Sequence, residues 1–298
     1  DDEVILFLWQ NENTVVIGRN QDPWSECRLD EMKKGGCILS RRISGGGAVY
    51  HDLGNLNFTF IAKEVLYDVA KQTDVILKAM LFLGLDAQKN GRNDLTIDDR
   101  KFSGHAFFKS EGRCYHHGTI MVDANSSSLA RYLDVSEKKL GSKGVKSVRS
   151  RVINLCELDP GLDCKAVKEA LKKAFLTVYA GDGQDPDHVS ADIYSSDPEY
   201  ISLVEKYASD KWLYGRRIPV DVKIHERFDW GEIRIALHIV SGTISECRIY
   251  TDSLETDVFS EVEKKLTGMK YDVSSLNKEA EEGSGIAKDI FRLISDSL

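Results

Sequence analysis

Short apolar runs broken by glycine, asparagine and aspartate fill the first third of the chain, and a helical period takes over in places after that. Val4–Trp9 and Thr14–Ile17 read as two strands around the turn residues Asn11-Glu12-Asn13. A short helix is expected over Arg28–Lys34, closed by Gly35-Gly36. From Asp68 to Leu83 the apolar positions (Val69, Val75, Ile76, Ala79, Met80, Leu83) follow a helical repeat that would lie against a sheet. Leu95–Ile97 and Cys114–Val122 read as strands, and Lys165–Tyr179 as a helix with Val167, Ala170, Leu171, Phe175 and Val178 on one side. Gly181 to Pro198, rich in Gly, Asp, Ser and Pro, reads as a connector, with a further helix over Ile201–Tyr207. Beyond Gly215 a meander is expected (Pro219–Ile224, Trp230–Val240, Thr243–Tyr250), then helices near Val258–Leu266 and Ile286–Ile294. The pattern predicts an α+β protein with a larger domain over 1–214 and a small α+β unit over 215–298.

Between the strand-like Cys37–Leu39 and Asn57–Ile61 lies Arg41-Arg42-Ile43-Ser44-Gly45-Gly46-Gly47-Ala48-Val49-Tyr50-His51-Asp52. Consecutive glycines let main-chain N–H groups approach a ligand, and arginine presents a planar fork of donors to phosphate or carboxylate. The expected arrangement is strand, glycine turn, strand, at a sheet edge. A hairpin with solvated arginines fits the glycines equally well, because short glycine motifs recur by chance.

Charge changes this picture in one place. The chain has 40 basic and 48 acidic residues, net −8, which argues against general nucleic-acid binding. Against that background Lys138, Lys139, Lys143, Lys146, Arg149 and Arg151 follow one another without an intervening acid, and Gly141 and Gly144 bracket Lys143. Most such runs are solvated faces; the alternative is a loop that brings cations to a phosphate. The spacing is not that of a Walker loop. His116 and His117 are adjacent, so on a strand they face opposite ways and cannot share a metal. No apolar run approaches a membrane span, and the acidic start does not read as a secretory signal. The six cysteines (27, 37, 114, 156, 164, 247) form no CxxC pair, so a reducing, cytoplasmic setting is the simpler account.

Taken in order, Arg41–Asp52 (RRISGGGAVYHD), Gly91–Asp94 (GRND), Arg100–Gly104 (RKFSG), His116–Thr119 (HHGT) and Lys143–Leu155 (KGVKSVRSRVINL) resemble lipoate–protein ligase A, and the resemblance runs over essentially the whole chain. Asp99 stands where that family more often has glycine, and the family's opening strand and helix are expected to precede the first residue given. The resemblance implies a biotin/lipoate ligase-like catalytic domain, with a mixed β-sheet and flanking helices, plus a small accessory domain. It implies ATP with Mg²⁺, and lipoate as substrate: the acid attacks the α-phosphate, and lipoyl-adenylate then acylates a lysine. The partners implied are lipoyl domains of 2-oxoacid dehydrogenase acyltransferases or the glycine-cleavage H protein. Carried over residue by residue, Arg42, Gly47, Ala48, Val49 and Tyr50 meet the nucleotide, with Asn93 and Asp94 beside the adenylate. Lys143 meets both the α-phosphate and the acyl carboxylate and is the catalytic expectation. Ser44, Gly45, Gly46 and His51 shape the lipoyl side.

Three alternatives belong beside this one. A related transferase would carry the acyl group as a thioester on Cys114 or Cys156. A biotin ligase would use the same chemistry. A non-catalytic binder of lipoate or lipoylated domains would keep the glycine turn and dispense with the lysine.

Overall fold

The opening alternation becomes β1 (Val4–Trp9), an edge strand of a six-stranded sheet in the computed structural model, which describes residues 3–91, 93–134, 152–179 and 190–298. The chain continues through β2 (Thr14–Ile17), α1 (Pro23–Glu26), α2 (Leu29–Lys34), β3 (Ile38–Arg41), β4 (Val49–His51), β5 (Asn55–Lys63) and α3 (Val69–Phe82). Next come β6 (Gln88–Asn90), β7 (Asp94–Ile97), β8 (Arg100–Ser110), β9 (Arg113–Met121), α4 (Ser126–Tyr132) and α5 (Cys164–Tyr179). Then follow α6 (Pro198–Ala208), α7 (Asp210–Leu213), β10 (Val222–Phe228), β11 (Gly231–Val240), β12 (Thr243–Thr251), α8 (Asp257–Leu266), α9 (Val273–Glu282) and α10 (Gly285–Asp296).

The chain divides into two compact units, each built from separated stretches. The first comprises residues 1–16, 27–40 and 49–207. Its sheet runs β1-β5-β9-β8-β7-β6 with antiparallel neighbours. One face is roofed by α3 and α5, whose apolar stripes (Val75, Ile76, Met80; Val167, Leu171, Ala174) close on Leu56, Phe58 and Phe60. Asp68 caps α3 by accepting from the Lys71 N–H. The β7–β8 turn uses Asp98 and Asp99 at φ 50° and 58°, the left-handed region that favours glycine. Aspartate tolerates this, which accounts for Asp99 at its position.

The second unit comprises 17–26, 41–48 and 208–298. Its sheet β10-β11-β12 buries Ile224, Ile233, Ile235, Leu237 and Ile249 against Phe259, Leu276, Ile290 and Phe291 of α8, α9 and α10. Three helices follow the meander where two were expected. The extra one, α9, starts at the Asp272 cap and hides only Leu276 and Ala280 fully, too few apolar positions to stand out as a period. Of the stretch Gly181 to Pro198, expected as connector, residues 181–189 lie outside the described residues, and a helix, α6, already begins at Pro198. No described helix is long and apolar enough to cross a membrane.

Candidate functional site

The glycine stretch is not a hairpin. β3 and β4, on either side of it, do not pair with each other; both flank β2 in a sheet of order β3-β2-β4. Three glycines in a polar connection look like a tight turn in the sequence because the intervening strand, β2, lies more than twenty residues before β3.

The two arginines are occupied by backbone. Arg41 sits in a cage of carbonyls, donating from Nη1 to Gly18 (3.2 Å), Arg19 (2.8 Å) and Gln21 (2.7 Å), and from Nε and Nη2 to Leu213 (3.1 and 2.7 Å). Trp212 Nε1 closes the cage by donating to the Arg41 carbonyl at 2.8 Å. Arg42 folds back on its own loop, donating to the Gly45 carbonyl at 3.1 and 2.7 Å and to that of Gly47 at 2.8 Å. Burial pulls its pKa down to about 10, so it is still a cation at neutral pH. Ser44 is fully buried and accepts from the Arg19 N–H through its carbonyl at 2.9 Å.

Two of the three glycines have packing reasons. A Cβ on Gly45 would lie 2.3 Å from the Ser253 carbonyl oxygen. Gly46 takes φ +95°, donates its N–H to that same oxygen at 2.8 Å, and would place a Cβ 2.8 Å from the Arg42 guanidinium. Gly47 alone is open, exposed and with no atom within 4 Å of where a Cβ would stand. Ala48 follows it, half-buried.

In the first unit, Val49, Tyr50 and His51 lie on β4 opposite Val16, Val15 and Thr14. The Tyr50 hydroxyl donates to Asn13 Oδ1 (3.2 Å), and burial raises its pKa. His51 is buried, with Nδ1 3.2 Å from Asn11 Nδ2 and its ring edge-on to Trp9.

The sheet face away from the helices carries a pattern that only the strand register reveals. Directly paired residues share a face, and the pairings Trp9–Asn57–Thr119–Gly104–Asp94 draw one line across five strands. The next line is Phe7–Thr59–His117–Ala106, and the one after it Ile5–Ile61–Tyr115–Phe108. Trp9 Nε1 donates to Thr59 Oγ1 at 3.1 Å, and Phe7 stacks on Trp9. Phe7 is 41% exposed and Ile5 50%, so the face is open along its β1 edge, while Asn57 and Ala106 on it are buried. At its polar end Lys101 Nζ reaches over Gly104 to Asp94 Oδ1, 2.7 Å away. Asn93 is clamped to β8, donating from Nδ2 to the His105 carbonyl (3.1 Å) and accepting the His105 N–H (2.7 Å).

Lys101 was not among the sequence expectations, although it stands in the matched RKFSG run. Its signal was Gly104 three residues on, which leaves room for the side chain. Phe7, Trp9, Tyr115 and His117 were missed as well, because alternation marks a two-faced strand without saying which face stays open. Lys143 and the whole basic run lie outside the described residues, as does Arg92. The described ends of that segment are held: Leu133 bridges to Cys27, Val152 bridges to Lys101, and Ile153 N–H donates to the Lys101 carbonyl at 3.0 Å.

All six cysteines are free thiols. Cys114 is buried, which raises its pKa. Burial and the nearby Asp123 carboxylate push Cys156 up to about 11. Neither is disposed to form the thiolate that acyl transfer needs. Among the described residues no group of three or more His, Cys, Asp or Glu side chains is placed to hold a metal.

Comparison with known proteins places these features. Residues 1–176 match the lipoyl protein ligase A/B catalytic domain, and residues 218–295 the C-terminus of bacterial lipoate protein ligases. A crystal structure of P. falciparum LipL1 in complex with lipoate is similar over 100% of this chain and 87% of its own, at 28% identity and TM-score 0.85. An archaeal lipoylation structure from Thermoplasma acidophilum, a bipartite lipoate protein ligase and its E2 lipoyl domain, is 30% identical over 74% of this chain and 88% of its own, at TM-score 0.63. Lipoate-protein ligase A bound with ATP matches at 28% identity over 72% of this chain and 87% of its own, at TM-score 0.61.

Proposed function

Because the chain belongs to the lipoyl protein ligase A/B family, we propose that it is an ATP-dependent lipoate–protein ligase, making lipoyl-adenylate and passing the acyl group to a lysine of a lipoyl domain. One observation carries the reading: a charged end, Lys101 and Asp94 over Gly104, lies on the same sheet face as the aromatic side chains of Trp9, Phe7 and Tyr115, with Asn57, Thr59, His117 and Thr119 between them. A carboxylic acid with a long apolar tail has the same polarity along its length. The carboxylate would lie at the ammonium, and the aliphatic chain and dithiolane ring along the aromatic lines.

Attack on an α-phosphate needs positioned cations more than a protein nucleophile. Lys101 is an ammonium beside an acid, both more than a third exposed and so within reach of substrate oxygens. In the adenylation transition state negative charge grows on the non-bridging oxygens, and an ammonium stabilises it more than it stabilises bound ATP. Lys143, from the matched motif, is the catalytic expectation for the same role, and Lys101 stands beside it as a further cation. Arg42 acts indirectly, holding the Gly45–Gly47 backbone in shape for the nucleotide while Gly47, Ala48, Val49 and Tyr50 approach it. Asn93 and Asp94 border the adenylate; Ser44, Gly45, Gly46 and His51 complete the acyl side. Mg²⁺ would arrive with the triphosphate, an ion that keeps phosphate and water ligands. Residues 1–214 would be the catalytic domain and 215–298 its accessory. The carrier would be a lipoyl domain, the class with which the archaeal ligase is paired.

The raised thiol pKa values weigh against the thioester alternative. Lipoate-dependent exchange of pyrophosphate into ATP, followed by mass spectrometry of a lipoyl domain, tests the reading. Exchange and one added lipoyl group are expected. Acyl transfer from a carrier without ATP would overturn it, and binding without either reaction would leave a non-catalytic binder.

A further inference from the structure

Behind the sheet, on the face away from Lys101, four buried polar side chains form a single file. Ser103 Oγ is 3.1 Å from His105 Nε2, His105 Nδ1 is 2.9 Å from His116 Nε2, and His116 Nδ1 is 3.0 Å from Gln72 Oε1 on α3. None is more than 5% exposed. Phe58, itself fully buried, lies edge-on to both imidazoles, and Gly118 makes room for its ring: a Cβ there would come within 2.6 Å of it.

Proton counting couples the two rings. With the Gln72 amide oxygen towards the imidazole, as the structure has it, His116 donates from Nδ1, which leaves its Nε2 as acceptor when the ring is neutral. His105 must then donate from Nδ1 and accept at Nε2 from the Ser103 hydroxyl. Burial keeps both rings neutral: His105 falls to about 4 and His116 well below the ordinary histidine value. The charged groups around them, Lys101 and Lys89 beside His105, with Lys89 and His117 beside His116, push the same way. Each donor then meets one acceptor; turning the Gln72 amide over brings its Nε2 to His116 Nδ1 and reverses the whole file with Ser103 as the last acceptor, so the two rings must share one tautomer, both Nδ1–H or both Nε2–H.

On the opposite side of the same strand segment lie Lys101 and Asp94, and Asn93 stands just before Asp94, at the end of β7. His105 holds Asn93 through two main-chain hydrogen bonds, and its neighbour Gly104 is the residue over which Lys101 reaches Asp94. We propose that the Ser103–His105–His116–Gln72 file positions Asn93, Asp94 and Lys101 for adenylation by anchoring β8 to α3 from behind. His105 and His116 are positioning residues that touch no substrate. The proposal rests on the ligase reading above.

Two measurements test it. Two-bond ¹H–¹⁵N spectra of protein labelled at its histidines should show two neutral rings of the same tautomer at pH 7, both Nδ1–H or both Nε2–H; rings of opposite tautomer, or either as a cation, would overturn the proposal. In pyrophosphate exchange, His116→Leu should lower kcat by roughly tenfold or more, the scale set by small misplacements of reacting groups. His116→Gln, which keeps one donor and one acceptor, should recover most of that loss. Should the leucine variant not fold, Gln72→Met removes only the last acceptor and carries the same expectation. A folded His116→Leu or Gln72→Met with full exchange would remove the positioning role and leave the ligase reading standing. A wild-type protein without lipoate-dependent exchange would overturn the ligase reading, and the positioning role with it.

Discussion

Lys101 and Asp94 meet at 2.7 Å across a residue that has no side chain: a Cβ on Gly104 would stand 2.9 Å from both Cε and Nζ of the lysine. Both partners are more than a third exposed, so the pair contributes little to stability and its geometry is available to a ligand. The arrangement holds an ammonium at one spot with an acid that substrate oxygens can replace.

Gly104→Ala is expected to displace the lysine without unfolding the sheet, because the clash falls on the end of a flexible side chain. Pyrophosphate exchange should drop by roughly tenfold or more, with the thermal midpoint nearly unchanged. An alanine variant with full activity would show that the path over Gly104 does not matter.

Lys101→Ala and Lys143→Ala can be compared directly in exchange and transfer assays. Removing a group that stabilises developing charge costs on the order of 10²–10³ in rate. A loss of that size is expected at each. If Lys143→Ala alone abolishes adenylation, the role belongs to the basic run.

The three glycines should separate into two kinds. Gly45→Ala drives a methyl against the Ser253 and Leu254 backbone, and overpacking of this sort costs about 1–3 kcal/mol or more. Gly47→Ala meets nothing, so it should melt like the wild type while weakening ATP binding. Equal melting temperatures for the two variants would contradict the packing account.

Acid should weaken the fold through the buried histidine pair. Both rings have folded pKa values below the unfolded value near 6.5, so between there and about 4 the unfolded chain binds protons that folded His105 does not. Stability is then full above about 6.5 and falls as pH drops towards 4, by about 1.4 kcal/mol per unit for each proton taken up. Denaturant titrations at pH 7 and pH 5 check this, and the slope should shrink in His105→Gln. A slope unaltered by that change would place the acid sensitivity elsewhere.

Replacing Cys114 and Cys156 together by serine should leave lipoylation near the wild-type level, since neither thiol is poised to ionise. Intact adenylation with lost transfer would restore the thioester route.

The sequence by itself determined the local elements and the family. Periodicity placed α3, α5 and the meander of the second unit because each has a wide enough apolar stripe to show a period. Five ordered motifs marked the chemistry because glycine, arginine and lysine are set there by ligand and backbone geometry rather than by bulk hydrophobicity. What only the tertiary structure decided are the relations between distant positions. Arg41 reads as a phosphate donor in the sequence, yet its donors go to carbonyls at 18, 19, 21 and 213, the last far along the chain. Gly45 reads as a cradle and is kept open for the Ser253 carbonyl. The line from Trp9 to Asp94 exists only through the register of five strands. The adjacent histidines show the same division: alternation assigns them opposite faces, but only the packing of α3, which brings Gln72 to His116, says which of them is neutral, buried and fixed.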